Sequence, residues 1–192
     1  MQKLRLTSGS DLYEIRVPDL GMFEYLARQN PDDWEEPIVR ELLQTVKGEP
    51  WPGPGQDRRL APLDVPMPVY LRLVEAVSEH MAHPKEVADA ALKGASYSDY
   101  GGTITILGDV FEVATPTVRK HRERMQLCGK RNVEAQLLLL RDHIRSFNGA
   151  PVETPHMKWP FDLPTTRLLM DFLQLLMAGG LGNAPPVVLV DG

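Results

Sequence analysis

Five histidines, one cysteine and a run of basic residues are the side chains whose types could do chemistry in this chain. Among the histidines (His80, His83, His121, His143 and His156), His80 and His83 stand three apart with Glu79 and Glu86 nearby, which places two imidazoles on one helix face. A zinc site needs three or four ligands, and no His-x-x-x-His or Cys-x-x-Cys pair supplies the others. The expected role is a surface pair at a helix end, marked by Pro84. His121 among arginines and His143 beside Asp142 read as solvated or helix-packed imidazoles. Basic neighbours would lower the thiol pKa of Cys128, but beside Met125 and Leu127 a single cysteine reads as core filling. The chain contains no Gly-x-Ser-x-Gly, no Gly-x-x-x-x-Gly-Lys-Ser/Thr and no Gly-x-Gly-x-x-Gly. The expectation is therefore no catalytic residue, no metal, no cofactor and no enzymatic activity.

The charge is uneven. Residues 1–100 hold 11 Lys+Arg against 17 Asp+Glu, whereas residues 101–192 hold 10 against 9. Most of the second half's positive charge lies between Thr117 and Arg145, as Arg119, Lys120, Arg122, Arg124, Lys130, Arg131, Arg141 and Arg145. Such a run is either a solvated helix face or an electrostatic docking surface. The whole chain, at a formal −5, is poorly suited to non-specific nucleic-acid binding. A single cysteine rules out an internal disulfide. The longest apolar runs, Leu137 to Leu140 and Pro185 to Val190, fall far short of the roughly 20 residues of a membrane span. The N-terminal residues lack the apolar stretch of a signal peptide.

The elements that must position these side chains follow from pattern. Lys3–Thr7 and Leu12–Val17 alternate around Ser8-Gly9-Ser10-Asp11 and predict a β-hairpin closed by Pro18. Asp19 can cap a helix carrying Leu20, Phe23, Tyr25 and Leu26, and Asp32 or Asp33 the next, in which Trp34, Ile38, Leu42, Leu43 and Val46 fall at helical spacing up to Gly48. Residues 48–68 are dense in Pro and Gly and predict a linker or long surface loop, inside which the Trp51 indole is expected to bury itself, on its own domain in preference to a partner. Val69–Met81 is amphipathic, and Pro84 restarts a short helix ending at Gly94. Thr103–Leu107 and Val110–Ala114 predict a second hairpin with Gly108-Asp109 as a type II′ turn, followed by Thr115-Pro116-Thr117 opening a helix. Asn132 can cap a helix from Val133 to Phe147. A loop with Trp159 leads to another helix from Asp162, and Pro185–Val190 reads as a short extended tail.

Tyr13-Glu14-Ile15 matches Phe111-Glu112-Val113, and each hairpin meets a proline and then a helix. An internal repeat is the simplest account, with convergence on a common motif as the alternative. The expected fold class is α+β and mostly helical, with two β-hairpin-plus-helix modules on helical bodies. The expected organisation is a module over 1–47, a linker over 48–68, and a helical region over 69–192 that contains the second hairpin-helix module at 103–127.

Two resemblances follow. Ala114-Thr115-Pro116-Thr117-Val118-Arg119-Lys120-His121-Arg122-Glu123-Arg124-Met125 resembles the recognition helix of helix-turn-helix regulators, which would place Thr117, Arg119 and Lys120 at the major groove. It departs from them at Glu112, at Arg122, and in the strand-like 104–113. The whole layout, a hairpin, a proline-led helix and leucine-rich helices running through Asp162-Leu163-Pro164 and Asp171 to Leu176, resembles the small tail and baseplate assembly proteins of tailed bacteriophages. This chain carries the hairpin twice. The resemblance implies a non-enzymatic protein of the host cytoplasm or the virion. Its partners would be other protein subunits, such as tape-measure, hub or neck proteins, or copies of itself, with nucleic acid as the weaker expectation and no membrane. The residues expected to make contacts are Arg119, Lys120, Arg122 and Arg124 toward an acidic partner, Trp51 and Trp159 as loop anchors, and Val187, Val188, Leu189 and Val190 for strand addition.

Overall fold

A computed structural model of the chain describes residues 3–29, 35–58, 60–129, 131–152 and 159–179. The chain divides into two compact units. The first gathers Met1–His83, Lys130–Glu134 and Asp162–Pro164, and the second gathers Pro84–Gly129, Ala135–Phe161 and Thr165–Gly192.

In the first unit, β1 (Lys3–Ser8) and β2 (Asp11–Arg16) form a hairpin through Gly9-Ser10, where Gly9 takes φ 63°. Tyr13 and Ile15 alternate onto the buried face and are fully covered. Helices α1 (Leu20–Gln29) and α2 (Glu35–Leu42) follow. Asp19 starts α1 as the residue pattern predicts, its Oδ1 accepting from the Met22 amide at 2.8 Å. Strands β3 (Leu43–Val46) and β4 (Glu49–Pro50) complete a four-stranded antiparallel sheet in the order β1-β2-β3-β4. Helix α3 (Met67–His80) then buries Val69, Leu73 and Val77.

The second unit repeats this plan. After α4 (Lys85–Lys93) and a short β5 (Ser96–Ser98), the hairpin of β6 (Gly101–Ile106) and β7 (Asp109–Ala114) leads into α5 (Val118–Cys128) and α6 (Asn132–His143). Strands β8 (Ile144–Phe147) and β9 (Ala150–Pro151) close a sheet in the order β5-β6-β7-β8-β9, and α7 (Leu163–Met177) follows. Phe111 occupies the position of Tyr13, and it meets Phe147 and Phe161 at ring distances of 5.1 Å. The two plans agree in detail. Each sheet has a register shift at the same point, between Glu14 and Ile15 and between Glu112 and Val113. Each third strand is tied back to the residue after the fourth, by Trp51 N–H to Gln44 O at 2.8 Å and by Val152 N–H to Arg145 O at 3.0 Å. Each last hairpin turns on a positive-φ pair, Lys47-Gly48 and Asn148-Gly149.

The expected fold class is corrected by these sheets. The fold is α+β, but in place of two isolated hairpins on helical bodies it has antiparallel sheets of four and five strands. The cause is the same in both units. Leu42, Leu43 and Val46 satisfy a helical period, yet the helix ends at Leu42 and the next residue begins a strand. The helix expected over Val133–Phe147 likewise ends at His143, with Ile144–Phe147 as a strand. The second hairpin's turn is also one residue earlier than expected. Ile106 pairs with Asp109, so Leu107-Gly108 turns the chain, with φ of 53° and 94°, the two positive values of a type I′ turn. Segment 48–68 contains β4 and a buried Trp51. The expected break at Asn30-Pro31, the caps at Asp32 and Asp33, and Trp34 lie outside the described residues, as does the 187–190 tail.

A helix that passes directly into a strand leaves carbonyl groups without intrahelical donors. In the first unit the donors are Gln44, whose Nε2 donates to Leu42 O at 3.3 Å and to Leu43 O at 2.9 Å, and two arginines. Arg58 Nη1 donates to Arg40 O at 2.7 Å and to Leu43 O at 2.6 Å, while its guanidinium lies 5.3 Å from the Trp51 ring centre. Arg16 Nη2 donates to Glu41 O at 3.0 Å. Partial burial pushes the Arg58 pKa down from its ordinary value. Replacing Arg58 with Met keeps the apolar stem and removes the donors, so Arg58→Met is expected to destabilise the first unit by about 2–3 kcal/mol. Denaturant unfolding followed by far-ultraviolet circular dichroism checks this.

Candidate functional site

Helix α5 carries the basic residues singled out in the sequence. Thr117 begins it, with Oγ1 accepting from the Lys120 amide at 3.3 Å, as Asp19 begins α1. The shared cap and the preceding prolines align the two helices residue by residue, setting Phe23 against His121, Glu24 against Arg122 and Leu26 against Arg124. In α1, Phe23 and Leu26 are 5% and 2% exposed and fasten the helix to its unit by apolar burial. In α5 those positions are polar, and Cys128 is the one buried residue of the helix. Besides Cys128, α5 is tied to α6 by an ion pair, in which Arg124 Nε and Nη2 donate to the two Asp142 oxygens at 2.7 and 2.9 Å.

This geometry divides the expected contact residues. Arg124 is committed to Asp142. Arg119 and Lys120 reach Glu123 at 3.4 and 3.3 Å across an open surface. Exposed pairs of this kind contribute about 0–1 kcal/mol, so both side chains remain available. Arg122 is exposed and has no ion-pair partner among the described residues. Val118 and Leu127, 68% and 63% exposed, interleave apolar surface with these charges.

Neither tryptophan projects as an anchor. Trp51 is buried and its Nε1 donates to Pro62 O at 3.2 Å. Trp159 is half-buried, its Nε1 donates to Thr166 Oγ1 at 2.9 Å, Arg141 lies 5.4 Å from its ring centre, and Phe161 meets it edge-on. His80 and His143 each direct Nδ1 to the carbonyl four residues earlier, Ala76 and Leu139, at 2.8 Å.

A second feature was not singled out in the sequence. On the second unit's sheet, Ser96, Ser98, Tyr100, Thr103, Glu112 and Arg145 line an open concavity of about 370 Å³. Its counterpart in the first unit is occupied. There the β1–β2 register sets Arg5 opposite Glu14, and Arg5 Nε donates to Glu14 Oε1 at 2.8 Å, with Lys3 Nζ 3.8 Å from Oε2. The bonds from Arg5 and then Thr45 hold the Glu14 carboxyl below the usual carboxylate range. The signal was available in register: Thr103 pairs with Glu112 where Arg5 pairs with Glu14.

The α5 geometry separates fastening residues from free ones. Arg124→Ala is expected to cost about 1 kcal/mol of stability through loss of the two-bond pair. Arg122→Ala is expected to change stability by less than about 0.5 kcal/mol. Thermal or denaturant unfolding of the two variants side by side checks the contrast.

Compared with known proteins, the chain matches no family model, no curated protein and no solved structure, so its two modules serve as each other's reference.

Proposed function

We propose that this chain is a non-enzymatic, phage-type structural or assembly protein that acts through protein–protein contacts in tail, neck or baseplate assembly, with α5 as a contact surface. One observation carries the reading. The same module holds its first helix by Phe23 and Leu26 in one copy, so the fold itself does not require the polar, exposed and basic α5 of the other. A helix that forgoes apolar burial while displaying Arg119, Lys120 and Arg122 beside Val118 and Leu127 fits an acidic partner surface with apolar spots. The partners are other protein subunits, such as tape-measure, hub or neck proteins, or copies of this chain, and the setting is the host cytoplasm or the virion. Among the described residues no helix is long and apolar enough to cross a membrane.

The interleaved apolar residues favour protein over a phosphate backbone, and the acidic first hundred residues oppose approach to nucleic acid. Residues 104–113 are strands, so α5 lacks the preceding helix that a helix-turn-helix reader packs against it. The test is co-expression with tape-measure, hub and neck subunits of tailed phages, followed by size exclusion with light scattering. One of these subunits should co-elute with the native chain, and Arg119→Glu with Arg122→Glu should weaken that complex about tenfold or more at unchanged unfolding temperature. Steeply salt-dependent binding to mixed duplex DNA, with no subunit retained, would overturn the reading.

A further inference from the structure

The two modules differ most sharply around one carboxylate. In the first, Glu14 is fully engaged by Arg5 and Thr45, with Lys3 close by. In the second, Glu112 keeps only the matching hydroxyl bond, Ser146 Oγ to Oε2 at 3.1 Å, just as Thr45 Oγ1 reaches Glu14 Oε2 at 3.1 Å. The cross-strand cations are gone, because Thr103 stands at the position of Arg5 and Gly101 at that of Lys3. Glu112 has no ion-pair partner among the described residues, and neither has Arg145, which lines the same concavity at the position held by Gln44 in the first module.

Beside the concavity the strands pack too closely for side chains at Gly101 and Gly102. Gly101 takes φ 152°, and a Cβ there would run into the Val113 carbonyl oxygen. At Gly102 a Cβ would run into the Ser96 carbonyl oxygen. Strand β5, which has no counterpart among the described residues of the first sheet, adds Ser96 and Ser98 to the wall, and Tyr100 beside it is 84% exposed. A carboxylate and a guanidinium without ion-pair partners among the described residues thus line a polar concavity of about 370 Å³ beside an exposed aromatic ring, while the Ser96 and Ser98 hydroxyls are engaged by the Thr103 amide and the Gly101 carbonyl. This combination complements a ligand that carries both charges: a guanidinium for Glu112 and a carboxylate for Arg145.

We propose that this concavity binds an extended Arg-x-Glu segment of a partner polypeptide, whose arginine sits on Glu112 as Arg5 sits on Glu14. Alternate residues of an extended segment point to one side, so an arginine and a glutamate two apart face the sheet together. The exposed Tyr100 ring offers a face for the incoming guanidinium. The site is separate from the charged surface of α5 and does not depend on it.

The test is NMR titration of the full chain with the peptide acetyl-Thr-Arg-Thr-Glu-Thr-amide, read at the amides of Gly101, Gly102 and Thr103. The peptide should shift these amides saturably, and replacing its arginine by glutamine should weaken binding about tenfold or more. Thr103→Arg rebuilds the internal pair of the first module and should abolish binding while the rest of the spectrum stays folded. Glu112→Gln should reduce affinity by a similar factor and leave the Ser146 bond in place. Absence of saturable shifts, or undiminished binding to Thr103→Arg, would overturn the proposal. Binding of free L-arginine as tight as that of the peptide would also overturn it, in favour of an amino-acid site.

Discussion

The structure depends on a helix that becomes a strand without a loop. In each module the second helix hands the chain directly to the third strand, at Leu42–Leu43 and at His143–Ile144. A junction of this kind couples two periods. One residue more or less would rotate the helix by about 100° and turn the strand over. The register shifts between Glu14 and Ile15 and between Glu112 and Val113 place one extra residue, Gln44 and Arg145, in the third strand just after each junction. The orphan carbonyls are then satisfied from outside the helix, by Gln44, Arg58 and Arg16 in the first unit.

The shared plan makes the differences between modules informative. Both copies keep the caps at Asp19 and Thr117 and the positive-φ turns at Lys47-Gly48 and Asn148-Gly149. Where the copies part, the fold permits either choice. The second module parts from the first twice toward exposure. It exchanges an apolar-fastened helix for a polar one held by Arg124 and Asp142, and it exchanges a satisfied carboxylate for an open one. Both exchanges give up stabilising contacts within the chain and leave charge facing solvent.

Much of this was legible in the residues. The alternation around Gly9 and around Gly108, the cap at Asp19, the amphipathic stretch from Val69 to Met81, in which Leu73, Val77 and Met81 are buried, and the agreement of Tyr13-Glu14-Ile15 with Phe111-Glu112-Val113 all carry local signals. The third strands were not legible. Four residues are too few to show alternation, and Leu42, Leu43 and Val46 satisfy the helical period by accident of spacing. The two-residue strands at Glu49–Pro50 and Ala150–Pro151 carry no pattern of their own and exist because the turn before them returns the chain to the sheet. Of the basic residues, composition found the cluster but could not assign Arg124 to Asp142, eighteen residues away. Glu112 became visible only once pairing set Thr103 where the first module has Arg5.

The most direct test of the junction as the organising constraint is the unfolding free energy of a chain with one alanine inserted between Leu42 and Leu43, measured against the same insertion in the surface turn that the Gln56 amide closes on Gly53 O at 3.1 Å. The account predicts a loss of about 3 kcal/mol or more at the junction, because helix and strand cannot both keep their buried faces, and little change in the turn. A junction insertion tolerated to within about 0.5 kcal/mol would contradict it.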